Sequence, residues 1–359
     1  MVSDVSPMTT PSIIVTGACG FVGFYLVRQL HQAGYSVLAV DKGLTDEARY
    51  LAKSGIAFAA VDITKEEEFD RLPKGSVSAF VNLACVQPAN MPTDESDPAV
   101  YVSVNTLGIA NILKYCRKSN IKKMLHTISH RNVQGLWERG EKITEESPRA
   151  IKYTGKFSLF SISESAAADI IEYYNQQHGM NCVIFRLPSV YGFGHHESFL
   201  ANGKGVKTGL GVFIENAAAG KPIEVWGDPS RGRDVIYVKD VVAAIMLAIK
   251  SENAGVLGTF NIASGVALSL QEQVDSIVKV FGRKDATPQI IYKPEKQNSI
   301  DPCVYDISKA GKVFGWQPQY SFENMLVDYK AEMERGELNF LLDRKLRMVA
   351  EGASKMGSH

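Results

Sequence analysis

A chain of 359 residues, at roughly 150 residues per domain, makes about two domains or one large α/β unit. Its 39 Lys plus Arg balance its 39 Asp plus Glu, which leaves no basic excess and argues against nucleic acid as a partner. At 45% hydrophobic and 22% charged residues the chain packs rather than staying disordered, and no apolar run approaches the roughly 18 residues of a membrane span.

In chain order, Ser12 to Thr16 reads as a short apolar strand that runs into Gly17-Ala18-Cys19-Gly20-Phe21-Val22-Gly23. Phe21 to Ala33 then has helical spacing (Phe21, Phe24, Leu26, Val27, Leu30) and stops near Gly34. Further strands are expected at Ser36–Val40 and Ala57–Val61, closed by Asp41 and Asp62, then at Ala79–Leu83 and Lys123–Thr127. Helices at Asp46–Ser54, Lys65–Leu72 and Asp97–Lys118 lie between them, and this alternation predicts right-handed crossovers and a doubly wound parallel sheet. A helix at Ser158–Gln177 and a strand at Cys182–Leu187 continue the pattern. Gly192 to Gly211, rich in glycine and polar residues, reads as a mobile segment over a site. Shorter elements follow at Val235–Val238, Val241–Lys250, Thr259–Ile262, Leu270–Phe281 and Ile290–Tyr292. The expected organisation is a nucleotide-binding domain over 12–190, to which later segments return, and a substrate domain over 191–335. Residues 1–11 and 350–359 are expected to be flexible ends.

Met1 to Pro11 shows no basic segment followed by an apolar stretch, so no secretory signal is expected. The five cysteines (Cys19, Cys85, Cys116, Cys182, Cys303) form no C-x-x-C pair and read as reduced thiols of a cytoplasmic protein.

Gly17-x-x-Gly20-x-x-Gly23 sits where a strand turns into a helix, a context in which glycine lets the backbone approach a pyrophosphate beneath free helix N–H groups. Asp41 closes the second strand, where its carboxylate can accept the hydroxyls of an adenosine ribose. It would repel a 2′-phosphate, favouring NAD over NADP, although Lys42 stands beside it. A glycine turn can also serve packing alone. The glycines, Asp41 and Asp62 together, each at the end of an adjacent strand, point to a dinucleotide.

These residues, with Asp62-Ile63, Asn82-Leu83-Ala84, Asn105, Leu187, Tyr191-Gly192 and Arg233-Asp234, resemble the extended short-chain dehydrogenase/reductase family, also called the NAD-dependent epimerase/dehydratase family. Asp306-Ile307-Ser308-Lys309-Ala310, Gly315-Trp316-x-Pro318 and Ser321 are similar to its carboxy-terminal signature. The resemblance implies a Rossmann-type sheet with a smaller α/β substrate domain, NAD as cofactor, and a nucleotide-diphosphate sugar as substrate. It implies that Gly17, Gly20, Phe21, Gly23, Asp41, Asp62, Ile63, Asn82 and Ala84 line the cofactor groove. Arg233, assisted by Arg231, would grip the substrate diphosphate, with Ser189 and Phe160 also on the substrate side. It further implies a homodimer through the helices near Asp97–Lys118 and Ser158–Gln177, for which Val100, Val104, Leu107 and Ala166–Ile171 are compatible.

The family's engine is a serine and a Tyr-x-x-x-Lys helix, in which the ammonium acidifies a phenol that takes the alcohol proton. Here the matching register holds Phe160 in place of the tyrosine, Glu164 in place of the lysine and His130 in place of the serine. The family's dehydratases carry an Asp-Glu pair just after the serine position, where this chain has Arg131-Asn132. Tyr153 and Lys156 are wrongly spaced to substitute and lie before the helix. A hydrocarbon ring and a carboxylate cannot drive ordinary alcohol oxidation, so His130 and Glu164 become the candidate acid–base pair, meeting in one pocket. His195 and His196, with Glu197 after them, add donors that together with His130 and Glu164 could hold a divalent metal, or form only a polar lid.

Three readings follow. The first is a nucleotide-sugar isomerase, an epimerase or pyranose/furanose mutase, working without the usual redox cycle, in which the NAD site can survive as a vestige. The second is an NAD-dependent epimerase or reductase with His130 as acid and base. The third is a catalytically silent protein that binds a dinucleotide or sugar nucleotide.

Overall fold

The computed structural model describes residues 12–342 apart from 76, 92–97, 196–197, 202–203, 252–257 and 299. The ends expected to be flexible therefore lie mostly or wholly outside the described residues, as do His196 and Glu197.

Seven strands form the central sheet: β1 (Ile13–Thr16), β2 (Val37–Asp41), β3 (Ala57–Ala60), β4 (Ala79–Asn82), β5 (Lys123–Ser129), β6 (Asn181–Leu187) and, much later in the chain, Gly258–Asn261. All their pairings are parallel, with the spatial order late strand, β6, β5, β4, β1, β2, β3. Period-two alternation decides which face each side chain enters. Ile13 and Val15 of β1 join one buried cluster, with the apolar stripe of α1 (Phe21–Gln32). Ile14 between them joins the other, which also contains Ile109, Ile112 and Ile171 from the helices of the opposite face. Both faces are thus sealed, as near-continuous apolar strands require.

Helix α2 (Asp46–Lys53) stands where the sequence puts it, whereas Glu66–Arg71 is a 3-10 helix rather than the α-helix expected over Lys65–Leu72. The helix expected from Asp97 starts at Ala99, within the described residues, as α3 (Ala99–Tyr101). It passes through a π-helical turn at Val102–Leu107 into α4 (Gly108–Lys118). That turn aims Asn105 inward: its amide oxygen accepts from the Val86 N–H (2.8 Å), and its NH2 donates to the Val86 carbonyl (2.9 Å) and the Ser163 hydroxyl (3.1 Å). Insertions of this kind recur at functional sites because they redirect one side chain without breaking the helix. Ser163 belongs to α5 (Ser158–His178), which ends at Gly179 in the left-handed conformation, φ 57°.

Beyond Tyr191 the described chain forms further elements within the glycine-rich stretch. β7 (Ser189–Tyr191) is followed by a buried stretch, Gly192 to His195, and an antiparallel hairpin, β8 (Ser198–Ala201) with β9 (Lys204–Lys207). Then come α6 (Gly209–Ala219), β10 (Ile223–Trp226), β11 (Gly232–Tyr237) and α7 (Val238–Lys250), and β12 is the late strand Gly258–Asn261. β13 (Ala267–Ser269), α8 (Leu270–Phe281), β14 (Ile290–Lys293), α9 (Ser308–Phe314) and α10 (Phe322–Arg335) complete the order. α8 begins where Ser269 and Glu272 cap each other reciprocally. β11 pairs in parallel with β7 and antiparallel with β13, while β10 pairs with β14. No described helix is long and apolar enough to cross a membrane.

Trp316, after α9, is 1% exposed and its indole N–H donates to the Asp240 carbonyl of α7 (3.0 Å), fixing the carboxy-terminal segment to the sheet layer. Trp316→Ala is expected to lower unfolding free energy by about 3–5 kcal/mol in a urea titration.

Candidate active site

The strand order reverses between β1 and β4, so a crevice opens at the carboxyl ends of the sheet, where doubly wound folds take ligands. Gly17 leaves β1 at φ +70°, and a Cβ there would lie 2.5 Å from the Ala84 nitrogen; one on Gly23 would lie 2.1 Å from the Gly17 oxygen. The start of α1 is therefore pressed onto the strand end, with Gly20 as its N-cap donating its N–H to the Gly17 carbonyl (3.0 Å). Asp41 accepts from the Cys19 N–H (3.0 Å) and the Lys42 N–H (2.8 Å), tying the end of β2 to the same turn. Asp62 accepts from the Thr64 N–H and hydroxyl. Burial pushes its pKa up, but these bonds with Lys65 and Lys42 outweigh that and hold the carboxyl below the usual range. Ile63 is buried, with its carbonyl accepting from Asn111 (2.9 Å).

Two groove expectations are corrected. The Asn82 side chain is fully buried, accepting from Thr16 (2.6 Å) and donating to His126 Nδ1 (3.0 Å), so it fixes the Leu83–Ala84 bend rather than lining the groove. The ring of Phe21 is buried too, against Tyr25, His195 and the Gly192 backbone.

At the other end of the crevice, α5 carries Phe160 and Glu164 one turn apart and both buried. Phe160 is 3% exposed and edges Tyr101 (6.4 Å), so it is a packing residue rather than an open substrate contact. Glu164 accepts from the Ser129 N–H at the end of β5 (3.0 Å) and faces the Cys85 thiol (3.6 Å). His130, the next residue, turns away from it. The Trp137 indole N–H donates to the Tyr305 hydroxyl oxygen (3.0 Å), and the same hydroxyl is hydrogen-bonded to His130 Nδ1 (2.9 Å), leaving Nε2 as the ring nitrogen not engaged by Tyr305. On the substrate side, Arg233 donates to the Tyr191 hydroxyl (3.1 Å), and Ser189 lies in register with Val235 on the Arg233 face of β11. Arg231 is instead held by the Ile300 carbonyl (2.9 Å) and Glu138 (2.6 Å).

Comparison with known proteins gives the same outline. The family described as the NAD dependent epimerase/dehydratase family matches residues 13–263. The chain belongs to that family. It is 29% identical over 326 residues to the low-salt glycan biosynthesis protein Agl12 of Haloferax volcanii, covering 88% of this chain and 97% of that one. It is 26% identical over 313 residues to the UDP-glucose 4-epimerase of Mycolicibacterium smegmatis, covering 85% and 93%. Among solved structures, the UDP-glucose 4-epimerase of Thermotoga maritima with UDP-glucose superposes with a TM-score of 0.73 at 22% identity, covering 90% of this chain and 99% of that one. That likeness is one of fold.

Against the family pattern, the charge on Glu164 needs correcting. Burial pushes its pKa up to about 8, with the Ser129 and Cys85 bonds opposing, so the residue is mostly a neutral acid at pH 7 rather than an anion. His130 is held well below its usual range, first by burial and then by the cations Arg131, Arg233 and Arg186, so its imidazole is neutral. The expected imidazole–carboxylate pair is therefore not formed: the two groups share the end of β5 but bond to different partners. The metal set does not assemble either. His195 Nε2 is bonded to buried Glu47 (3.0 Å) beside Phe21, and among the described residues no three His, Cys, Asp or Glu side chains converge on one point. Tyr153 is 77% exposed and supplies no replacement phenol. Tyr305 and Trp137 were missed in the sequence because Tyr305 is 175 residues from His130. Cys85 carried no spacing signal.

The raised pKa of Glu164 makes stability fall as pH rises from about 4.5 to about 8, because the unfolded chain ionises where the folded one cannot. Glu164→Gln, which is neutral throughout, is expected to match the parent near pH 4 and to exceed it by about 1–4 kcal/mol at pH 8. Thermal melts across that range check this, and a constant offset would contradict it.

Proposed function

We propose that this chain is an isomerase of a nucleotide-diphosphate sugar, an epimerase or a pyranose/furanose mutase, that moves protons with Glu164 and His130 instead of a tyrosinate. The observation that carries the reading is Glu164: a carboxylic acid, buried and neutral near pH 7, where the family places a cation. Such a group gives and takes a proton near its own pKa, which is what general acid–base catalysis needs. His130, neutral and held by Tyr305 through Nδ1, keeps Nε2 as the nitrogen suited to meet a sugar oxygen. Arg233 supplies a guanidinium for the diphosphate, with Tyr191 fixing its plane. The kinship with a UDP-glucose 4-epimerase over most of both chains supports the substrate class.

NAD, when bound, would supply a hydride acceptor. The residues that would hold it are Gly17, Gly20 and Gly23 at the pyrophosphate, Asp41 at the ribose, and Asp62, Ile63 and Ala84 around them. The crowding at Gly17 and Gly23 fits this, since a side chain on either would close the approach. That intact turn favours, as a second reading, a redox epimerase in which His130 replaces the phenol.

Incubation with uridine, thymidine and guanosine diphosphate sugars, followed by NMR, separates the readings. The expected result is a new sugar isomer without transient absorbance of reduced nicotinamide. Reduced cofactor during turnover supports the redox reading, and binding without conversion supports a silent binder. Glu164→Gln is expected to lower kcat about 100-fold with little change in affinity for the nucleoside diphosphate, and parental kcat should fall above pH 8. Unchanged kcat in the variant would remove Glu164 from the chemistry.

We also propose a homodimer through α3–α4 and α5. Val102 (46%), Leu107 (48%), Ile162 (38%) and Tyr173 (55%) are exposed there, whereas Ala167, Ala168 and Ile171 belong to the core rather than to a free face. Leu107→Glu with Tyr173→Glu should convert a dimer to a monomer in light scattering without loss of helical circular dichroism.

A further inference from the structure

The three strongest features outside the acid–base pair are the buried Glu47–His195 contact, the apolar cavity of about 360 Å³ between Tyr191 and Phe322, and the arginines around His130. The arginines carry the argument furthest. Arg131 follows His130 in a 3-10 helix (His130–Leu136), with its guanidinium carbon 3.5 Å from the centroid of Phe157 and 5.5 Å from that of Trp137. Stacking fixes the plane of the fork and leaves its edge for a ligand; among the described residues its side chain donates one hydrogen bond, to Gln134 (3.3 Å). Arg233, half-buried, uses one Nη on Tyr191, while its buried Nε has no hydrogen-bond partner among the described residues. The two cations act on one another and on His130, and Asp301 is the carboxylate that acts on both. Burial, together with Arg233, pulls the pKa of Arg131 down to about 10. With Arg186 as a third cation acting on His130 and Asp301 as the carboxylate acting on both Arg131 and Arg233, the surroundings of His130 are positive, a situation an anionic ligand relieves.

A diphosphate on Arg233 meets part of that demand. Arg131, however, follows His130 two residues beyond Ser129, the β5 end whose N–H meets the Glu164 carboxyl, so on the nucleotide-sugar reading it enters from the reacting-sugar end of the crevice. Resting on the nucleotide-sugar reading, we propose that Arg131 recognises an anionic substituent on the sugar itself, so that the preferred substrate is a nucleotide sugar acid. A planar carboxylate matches the stacked fork bidentately, and a hydroxymethyl group at that place would leave the guanidinium unpaired.

Calorimetry on the full chain with three ligands tests this: a nucleoside diphosphate, its neutral hexose conjugate and its hexuronate conjugate, in whichever of the uridine, thymidine or guanosine series binds most tightly. The parent is expected to bind the hexuronate at least 10-fold tighter than the hexose. Arg131→Gln should lose at least 10-fold for the hexuronate and less than 3-fold for the other two, with Arg131→Lys intermediate. Equal losses for all three ligands would make Arg131 a diphosphate or structural contact and overturn the proposal, as would a parent without preference. Thermal melts of each variant show whether a loss is one of folding. Binding of none of the diphosphates would instead defeat the nucleotide-sugar reading and this proposal with it.

Discussion

The backbone contact between Gly17 and Gly23 is the constraint from which the rest of the site takes its position. With no room for even one carbon between the end of β1 and the start of α1, that helix cannot slide along or lift off the sheet. Its amino terminus therefore points at one place in the crevice. Asp41 bonds the turn from β2, and the bend at Leu83–Ala84, held by Asn82, bounds it from β4. Three consecutive strand ends are thereby locked to a single loop, and β5 follows in register with Ser129 and His130 at its tip.

At that tip the electrostatics run opposite to those of a tyrosine–lysine pair. In the usual arrangement a cation stabilises a phenolate. Here burial keeps Glu164 uncharged, and the same low-dielectric surroundings, with three arginines, keep His130 uncharged. Both groups are neutral in the resting protein, Glu164 by keeping its ionisable proton and His130 by having lost its own. The positive potential is carried instead by Arg131 and Arg233, which do not titrate near neutrality.

The fold was legible because period-two apolar strands, glycine stops and closing aspartates are local signals. The glycine turn was legible because its glycines stand at one strand–helix junction. Two kinds of information were not. Side-chain partnership across long separations, such as Tyr305 on His130 or Glu47 on His195, leaves no trace in spacing. Environment is equally hidden: Glu164 reads as an anion in the sequence, and only the walls around it make it a neutral acid. The reason for the first glycines after Tyr191 was hidden in the same way: Gly192 and Gly194, at φ 152° and 128°, stand where Phe21, Val238 and Leu341 crowd the backbone.

That crowding ties together two parts of the molecule with separate tasks. The Phe21 ring at the start of α1 also packs beside Gly192, and Tyr25 one turn on donates its hydroxyl proton to the Phe193 carbonyl (2.9 Å). The chain leaving the sheet after Tyr191 is thus bolted to the first turns of α1, so neither can be displaced without disturbing the other.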